Sequence, residues 1–200
     1  MGAQLLAGAA KVVVTPPVGY HMGAWGLRQG QSNGVHDDLY AKALVLESSG
    51  TRIAMVAMDV AAITREILEE IQARVEELTG IPASHLLVNS THNHTTPDFI
   101  NQIPDELQGY AGHFAHAVAG AVYEAASGMS PTKLGHGAGD LPGFTVNRQY
   151  RDRGVDTSVG VLRIDHVDGT PLARVVNFAC HNLCVGGQYL LWSADFTGVT

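Results

Sequence analysis

Between Leu39 and Ser90 the hydropathy pattern changes period twice, and this constrains the chain more than any other feature. Leu39–Glu47 (LYAKALVLE) and Arg52–Val60 (RIAMVAMDV) are apolar runs joined by the turn-like Ser48-Ser49-Gly50, which predicts a strand pair. The second run is apolar almost throughout and is expected to be covered on both faces. From Ile63 the period lengthens. Ile63, Ile67, Ile71, Val75 and Leu78 share one helical face, with Glu and Arg on the other. Thr64 is placed to cap the start of this helix, and Gly80 with Pro82 to stop it. The period then shortens again over His85–Ser90, a strand that leads into the polar stretch VNSTHNHTTP, residues 88–97.

Further on, Pro104 is expected to open a second helix through about Ser127, with Leu107, Phe114, Ala121 and Val122 as its buried stripe. Gly135–Gly143 (GHGAGDLPG) reads as a loop, and Val159–His181 as two strands around a tight Asp168-Gly169 turn. The order β-β-α-β-α-β-β predicts the α/β class, a layered sandwich with a mixed sheet flanked by helices. With 46% hydrophobic residues among 200, the chain can fill one sizeable core. It reads as a single domain over 1–200. The apolar, turn-like LLWSADFTGVT at its end suggests the N-terminal part of a larger catalytic domain.

Partners are bounded by charge and hydropathy. A net charge of −7 argues against a nucleic-acid partner, which needs a basic face. No apolar run approaches the roughly 18 residues of a transmembrane segment, and no secretory leader is evident, so a cytoplasmic location is the default expectation. Cys180 and Cys184, the two cysteines, provide no disulfide framework.

The chemistry-bearing residues gather at predicted strand ends. On an extended chain His92 and His94 project to the same side. In α/β sheets the C-terminal ends of strands are where ligands bind. Neutral imidazole is a good zinc ligand, so the pair is either a metal or catalytic site or a set of hydrogen-bonded loop histidines. His181 ends a second apolar strand and could face His92 if both strands lie in one sheet. Three histidines at two strand ends favour the metal or catalytic reading. Cys180, His181 and Cys184 match no common zinc finger spacing, and a buried cysteine is more often a small hydrophobe. Arg148, beside Asn147, could clamp a carboxylate or stabilise an oxyanion, or could be a solvated surface arginine. Asp59 and Asp195 are ligands, partners of a histidine, or turn caps. His36 is a weaker candidate of the same kind, and His113 and His116 belong on the surface of the second helix. Gly135–Gly143 makes a poor phosphate loop, and no Gly-x-Ser-x-Gly elbow is present.

Taken in succession, AAKVVVTPPVGYHMGAWG, GVHDDLYAKALVLESSGTRIAMVAMDV, VNSTHNHTTP, VNRQYRDRGVDTSVGVLRIDHVDGTPLARVVNFACHN and SADFTG resemble the N-terminal domain of the neutral/alkaline non-lysosomal ceramidase family. The resemblance covers nearly the whole chain. It implies zinc-dependent hydrolysis of an N-acyl amide bond, with a small-molecule or lipid amide as substrate. It also implies that His92 and His181 bind Zn2+, that His94 lines the active site, and that Arg148 faces the substrate. The family completes its zinc site with a glutamate and a tyrosine from further along the catalytic domain, and no counterpart is found before Thr200. Thr95-Thr96-Pro97-Asp98 stands where active members usually carry Ser-Gly-Pro-Gly or similar, and Asn182-Leu183 replaces the usual Gly-Thr. Because these positions adjoin the site, the substrate stays open between a ceramide-type amide and a small polar amide or ester. A binding domain that has lost the metal is the non-enzymatic alternative.

Overall fold

The alternating runs of the first half become strands with one face turned to two helices. A computed structural model describes residues 4–26, 28, 30–97, 99 and 105–200. Its elements are β1 (Leu6–Val13), β2 (Gly34–Val35), β3 (Tyr40–Ser48), β4 (Thr51–Met58), α1 (Arg65–Thr79), β5 (Leu86–Ser90), α2 (Asp105–Ser127), β6 (Ser130–Asp140), β7 (Ser158–His166), β8 (Pro171–Phe178) and β9 (Leu191–Trp192). Seven strands form one mixed sheet in the order β5-β4-β3-β1-β6-β7-β8, while β2 and β9 form a short parallel pair. β4 and β5 run parallel through α1, and the other ladders of the large sheet are antiparallel. This is the expected α/β class.

The main core lies on one face. Ala41, Ala43 and Val45 of β3 with Ala54, Val56 and Met58 of β4 pack against Ile67, Ile71 and Val75 of α1 and Phe114, Val118 and Val122 of α2. Burial of each larger side chain is worth about 1.5–3 kcal/mol. Thr64 caps α1 by accepting from the Ile67 amide, and Gly80 ends it in the left-handed region at φ 71°, its N–H bonded to Glu76 O. Leu78 was expected in the buried stripe but is 46% exposed, because the stripe has turned outward by the last turn. The four residues expected on the buried stripe of α2 are all inside. Pro104, expected to open α2, lies outside the described residues. Gly8 lets β1 approach α2: a Cβ there would stand 1.9 Å from the Ala125 carbonyl oxygen.

Two further expectations need correction. The run Arg52–Val60 is not covered by helices on both faces, since both helices pack on the same side and Ile53 on the other remains 39% exposed. Gly135–Asp140, expected as loop, belongs to β6, which pairs with β7 from Thr132↔His166 to Asp140↔Ser158. The second face of the sheet is partly covered by the sheet itself. β6, β7 and β8 curl back so that Ile164 meets Ala7 and Leu44, with Leu162, Ala173 and Val175 packed around them. β1 joins β6 through only two residue pairs, Leu6↔Pro131 and Ala7↔Ser130. Between the two halves runs a groove of about 890 Å³, lined by Leu44, Met55, Leu87, Leu162 and Val175 among other residues.

Candidate metal and active site

β5 and β8 are the two edges of the large sheet, and its curl brings their C-terminal ends together. The loop after β5 carries His92 and His94, and the loop after β8 carries His181. The His92 ring centroid lies 4.9 Å from that of His94 and 4.7 Å from that of His181, and His94 and His181 are also 4.7 Å apart. One ring nitrogen from each falls within 4.8 Å of the others. Among the described residues no other group of His, Cys, Asp or Glu comes together in this way.

The backbone and the hydrogen bonds fix how each ring is presented. His92 sits in the left-handed region at φ 59°, a conformation uncommon outside glycine and found at turns and functional sites. Its Nδ1 donates to the Ala61 carbonyl at the end of the β4 segment, 2.9 Å away, leaving Nε2 with its lone pair free. Arg148 Nη2 donates to His181 Nδ1 at 3.0 Å, and His181 Nε2 meets His94 Nε2 at 2.8 Å. In this arrangement a proton sits on His181 Nε2 and the accepting lone pair on His94 Nε2. For His181 to ligate a metal through Nε2, Arg148 must release Nδ1 so that the proton moves there, and His94 is then free to carry its own proton on Nε2. Burial, with His92 and the Arg28 and Arg148 guanidinium groups nearby, holds His94 below the ordinary imidazole range. Burial and Arg148, then the other two histidines, do the same for His181. Low basicity keeps both rings neutral near pH 7, and neutral imidazole is the form that binds metals.

The donor set fits zinc. Zn–N bonds of about 2.0–2.1 Å in tetrahedral geometry need ligand nitrogens roughly 3.3 Å apart. The ligand nitrogens of His92 and His181 lie within 4.8 Å of one another, so the two need to draw together by no more than about 1.5 Å. Asn147 shapes the turn that presents Arg148, its Oδ1 accepting from the Gln149 and Tyr150 amides.

The other candidates fall outside the cluster. Asp59 is buried and accepts from the Tyr40 amide, with Lys42 at 4.0 Å. Burial raises its pKa. Asp195 caps backbone amides of Cys184, Val185 and Phe196. His36 is exposed and bonded to Asp37, and His113 and His116 are exposed on α2. Cys180 donates to Phe144 O, and Cys184 is exposed. Thr95, Thr96 and Asn182, departures from the family pattern, are buried braces rather than lining groups. Thr95 bonds Asn93 and Ser193, Thr96 bonds the Asn93 carbonyl, and Asn182 bonds Thr197 and Ala194. Asp98 lies outside the described residues.

Sequence reasoning missed Trp25 and Arg28. The Trp25 ring stands edge-on to His94 at 5.9 Å, and Arg28 Nη1 donates to the His94 carbonyl at 2.6 Å. Trp25 lies in a stretch that carries the family resemblance, but no spacing marks either residue, since each acts across a long stretch of chain.

Comparison with known proteins now bears on this geometry. Two Dictyostelium discoideum proteins are similar: neutral ceramidase B, 24% identical over 189 residues (82% of this chain, 26% of that protein), and neutral ceramidase A, 23% identical over 191 residues (84% and 27%). The chain thus spans about a quarter of the length of the curated relatives it matches. Among solved structures, neutral ceramidase from Pseudomonas aeruginosa superposes with a TM-score of 0.86 at 21% identity, covering 99% of this chain and 35% of that one. A ceramidase complexed with C2 gives 0.85 at 21% identity, covering 98% and 34%. These likenesses establish the shared fold. A profile described as neutral/alkaline non-lysosomal ceramidase, N-terminal, matches residues 5–200. The chain belongs to the neutral/alkaline non-lysosomal ceramidase family.

Proposed function

We propose that this chain carries the histidine side of a zinc-dependent hydrolase site that cleaves an N-acyl amide bond of the ceramide type. The observation that supports this most is the convergence of His92, His94 and His181 from opposite sheet edges, with their ring nitrogens turned inward. In this reading His92 and His181 hold the metal. A zinc ion supplies Lewis acidity, polarising a carbonyl and making water a usable nucleophile near neutral pH. His94, whose Nε2 faces the same point, hydrogen-bonds the developing oxyanion or passes a proton to the leaving amine. Arg148, exposed and tethered to His181, orients the substrate through its outward-facing guanidinium nitrogens.

The groove between the sheet halves supports a substrate with an aliphatic chain over a small polar amide. Its lining is mostly apolar, and Asn89 and Asn177, just upstream of His92 and His181, line it too. Elemental analysis of purified protein, wild type against His92→Ala, tests the metal. The expected result is bound zinc that disappears in the variant, at an occupancy below one ion per chain because His92 and His181 supply only two ligands. Zinc at a hundredfold over its Kd adds about 2.7 kcal/mol to the native state, which a melt also reads. A wild-type protein that takes up no zinc sinks the proposal. Faster hydrolysis of short soluble amides than of long-chain ceramides overturns the substrate class alone.

A further inference from the structure

The segment between β1 and β2 has no part in that reading, yet it reaches both histidine loops. Arg28 Nη1 donates to the carbonyl oxygens of Gly23 (3.0 Å) and His94 (2.6 Å), and its Nε donates to the carbonyl oxygen of Gly187 (3.1 Å). These acceptors lie in the loops that follow β1, β5 and β8. Trp25 reinforces the same bridge: its ring stands edge-on to His94, and a Cβ on Gly187 would come within 3.3 Å of it. The Gly23 amide in turn donates to Thr96 O, tying this segment to the far side of the His94 loop.

A guanidinium group is suited to this position because it is planar and carries five N–H donors in fixed directions. A lysine ammonium has the charge but not the fork. Arg28 is partly buried, and each backbone carbonyl it satisfies would otherwise lose a charge-assisted hydrogen bond.

We propose that Arg28 is a positioning residue for the histidine cluster: it sets the spacing between the loop that carries His94 and the loop that follows His181. It acts through the backbone, with no contact to substrate or metal required. Its meaning for catalysis rests on the zinc-site reading above, whereas its effect on the two rings does not.

The test separates the two. Imidazole ¹H–¹⁵N spectra of the metal-free protein are recorded for wild type, Arg28→Ala and Arg28→Lys, and zinc affinity is measured by chelator competition. Arg28→Ala is expected to move the ring signals of His94 and His181 while leaving those of His113 and His116 on α2 in place. Zinc affinity should fall about 10–100-fold, the range seen when groups that orient metal ligands are removed. Arg28→Lys should resemble Arg28→Ala, and millimolar methylguanidinium should return the Arg28→Ala signals towards wild type. Unmoved His94 and His181 signals overturn the inference. So do shifts of equal size at all four histidines, which would mean general loosening. If wild type binds no zinc, the zinc-site reading fails while the ring signals still decide the role of Arg28. Should Arg28→Ala not fold, the Arg28→Lys spectra decide it.

Discussion

Along β4 every second residue from Ala54 to Met58 is buried against the helices, whereas along β6 Thr132 alone is buried, beside Leu5. The half of the sheet built from β5, β4, β3 and β1 rests on α1 and α2. The half built from β6, β7 and β8 rests on Ile164, its partners Ala7 and Leu44, and two ladder pairs. Yet each half delivers part of the site, His92 and His94 from the first, His181 and Arg148 from the second. The difference teaches that the spacing of the histidines is set by a firmly packed frame on one side and a lightly anchored one on the other. Loop contacts such as those of Arg28 therefore carry weight that the strands alone cannot.

The largest expected effect comes from attacking the firm half. Phe114→Ala removes a fully buried ring from the helix layer and should cost about 3–5 kcal/mol in urea unfolding. If amide exchange shows β7 and β8 still protected after this loss, the two halves are independent and the comparison sharpens. If all protection falls together, the division does not hold energetically. Gly8→Ala strikes the junction, where the new methyl group meets the Ala125 carbonyl, and about 1–3 kcal/mol should be lost through forced separation of β1 and α2.

A pH-graded effect is expected at Asp59. Its folded-state pKa is raised by burial, so the native state takes up this proton before the unfolded chain does, and the associated stability grows as pH falls through that raised value. Wild type should accordingly gain on Asp59→Asn as urea melts are moved from pH 7 towards the ordinary carboxylate range, where unfolded Asp59 protonates as well. A constant difference across that interval would show that Asp59 titrates as a solvated group. Smallest of all, Val176→Thr on exposed β8 should change stability by no more than about 0.5 kcal/mol. A larger loss would show that the lightly anchored half is packed better than its exposure indicates.

The firm half was the more legible in sequence. Ile67, Ile71 and Val75 repeat at helical spacing, Thr64 and Gly80 cap locally, and β3, β4 and β5 each carry their own apolar run. β1 was missed because LAGAAKVV is rich in small residues, chosen for close approach to α2 rather than for a visible alternation. β6 was misread because its glycines suggested a loop, although Gly135, Gly137 and Gly139 recur at strand spacing and the long ladder to β7 decides their state. His92, His94 and His181 stood out because strand ends concentrate ligand chemistry. That they meet from opposite sheet edges depends on the curl, and Arg28 and Trp25 depend on contacts far along the chain.

The two-pair junction between β1 and β6 also has a mechanical consequence. It lies beside the start of β8, because Thr132 of β6 faces His166 at the end of β7, next to the turn into Pro171. His181 follows the opposite end, so any rotation of the β7–β8 hairpin about the junction would act on it through the length of β8. Eight residues of strand at about 3.3 Å each make an arm of roughly 26 Å. One degree of rotation at the pivot then displaces its tip by about 0.5 Å, which is the whole tolerance within which a catalytic constellation must be held.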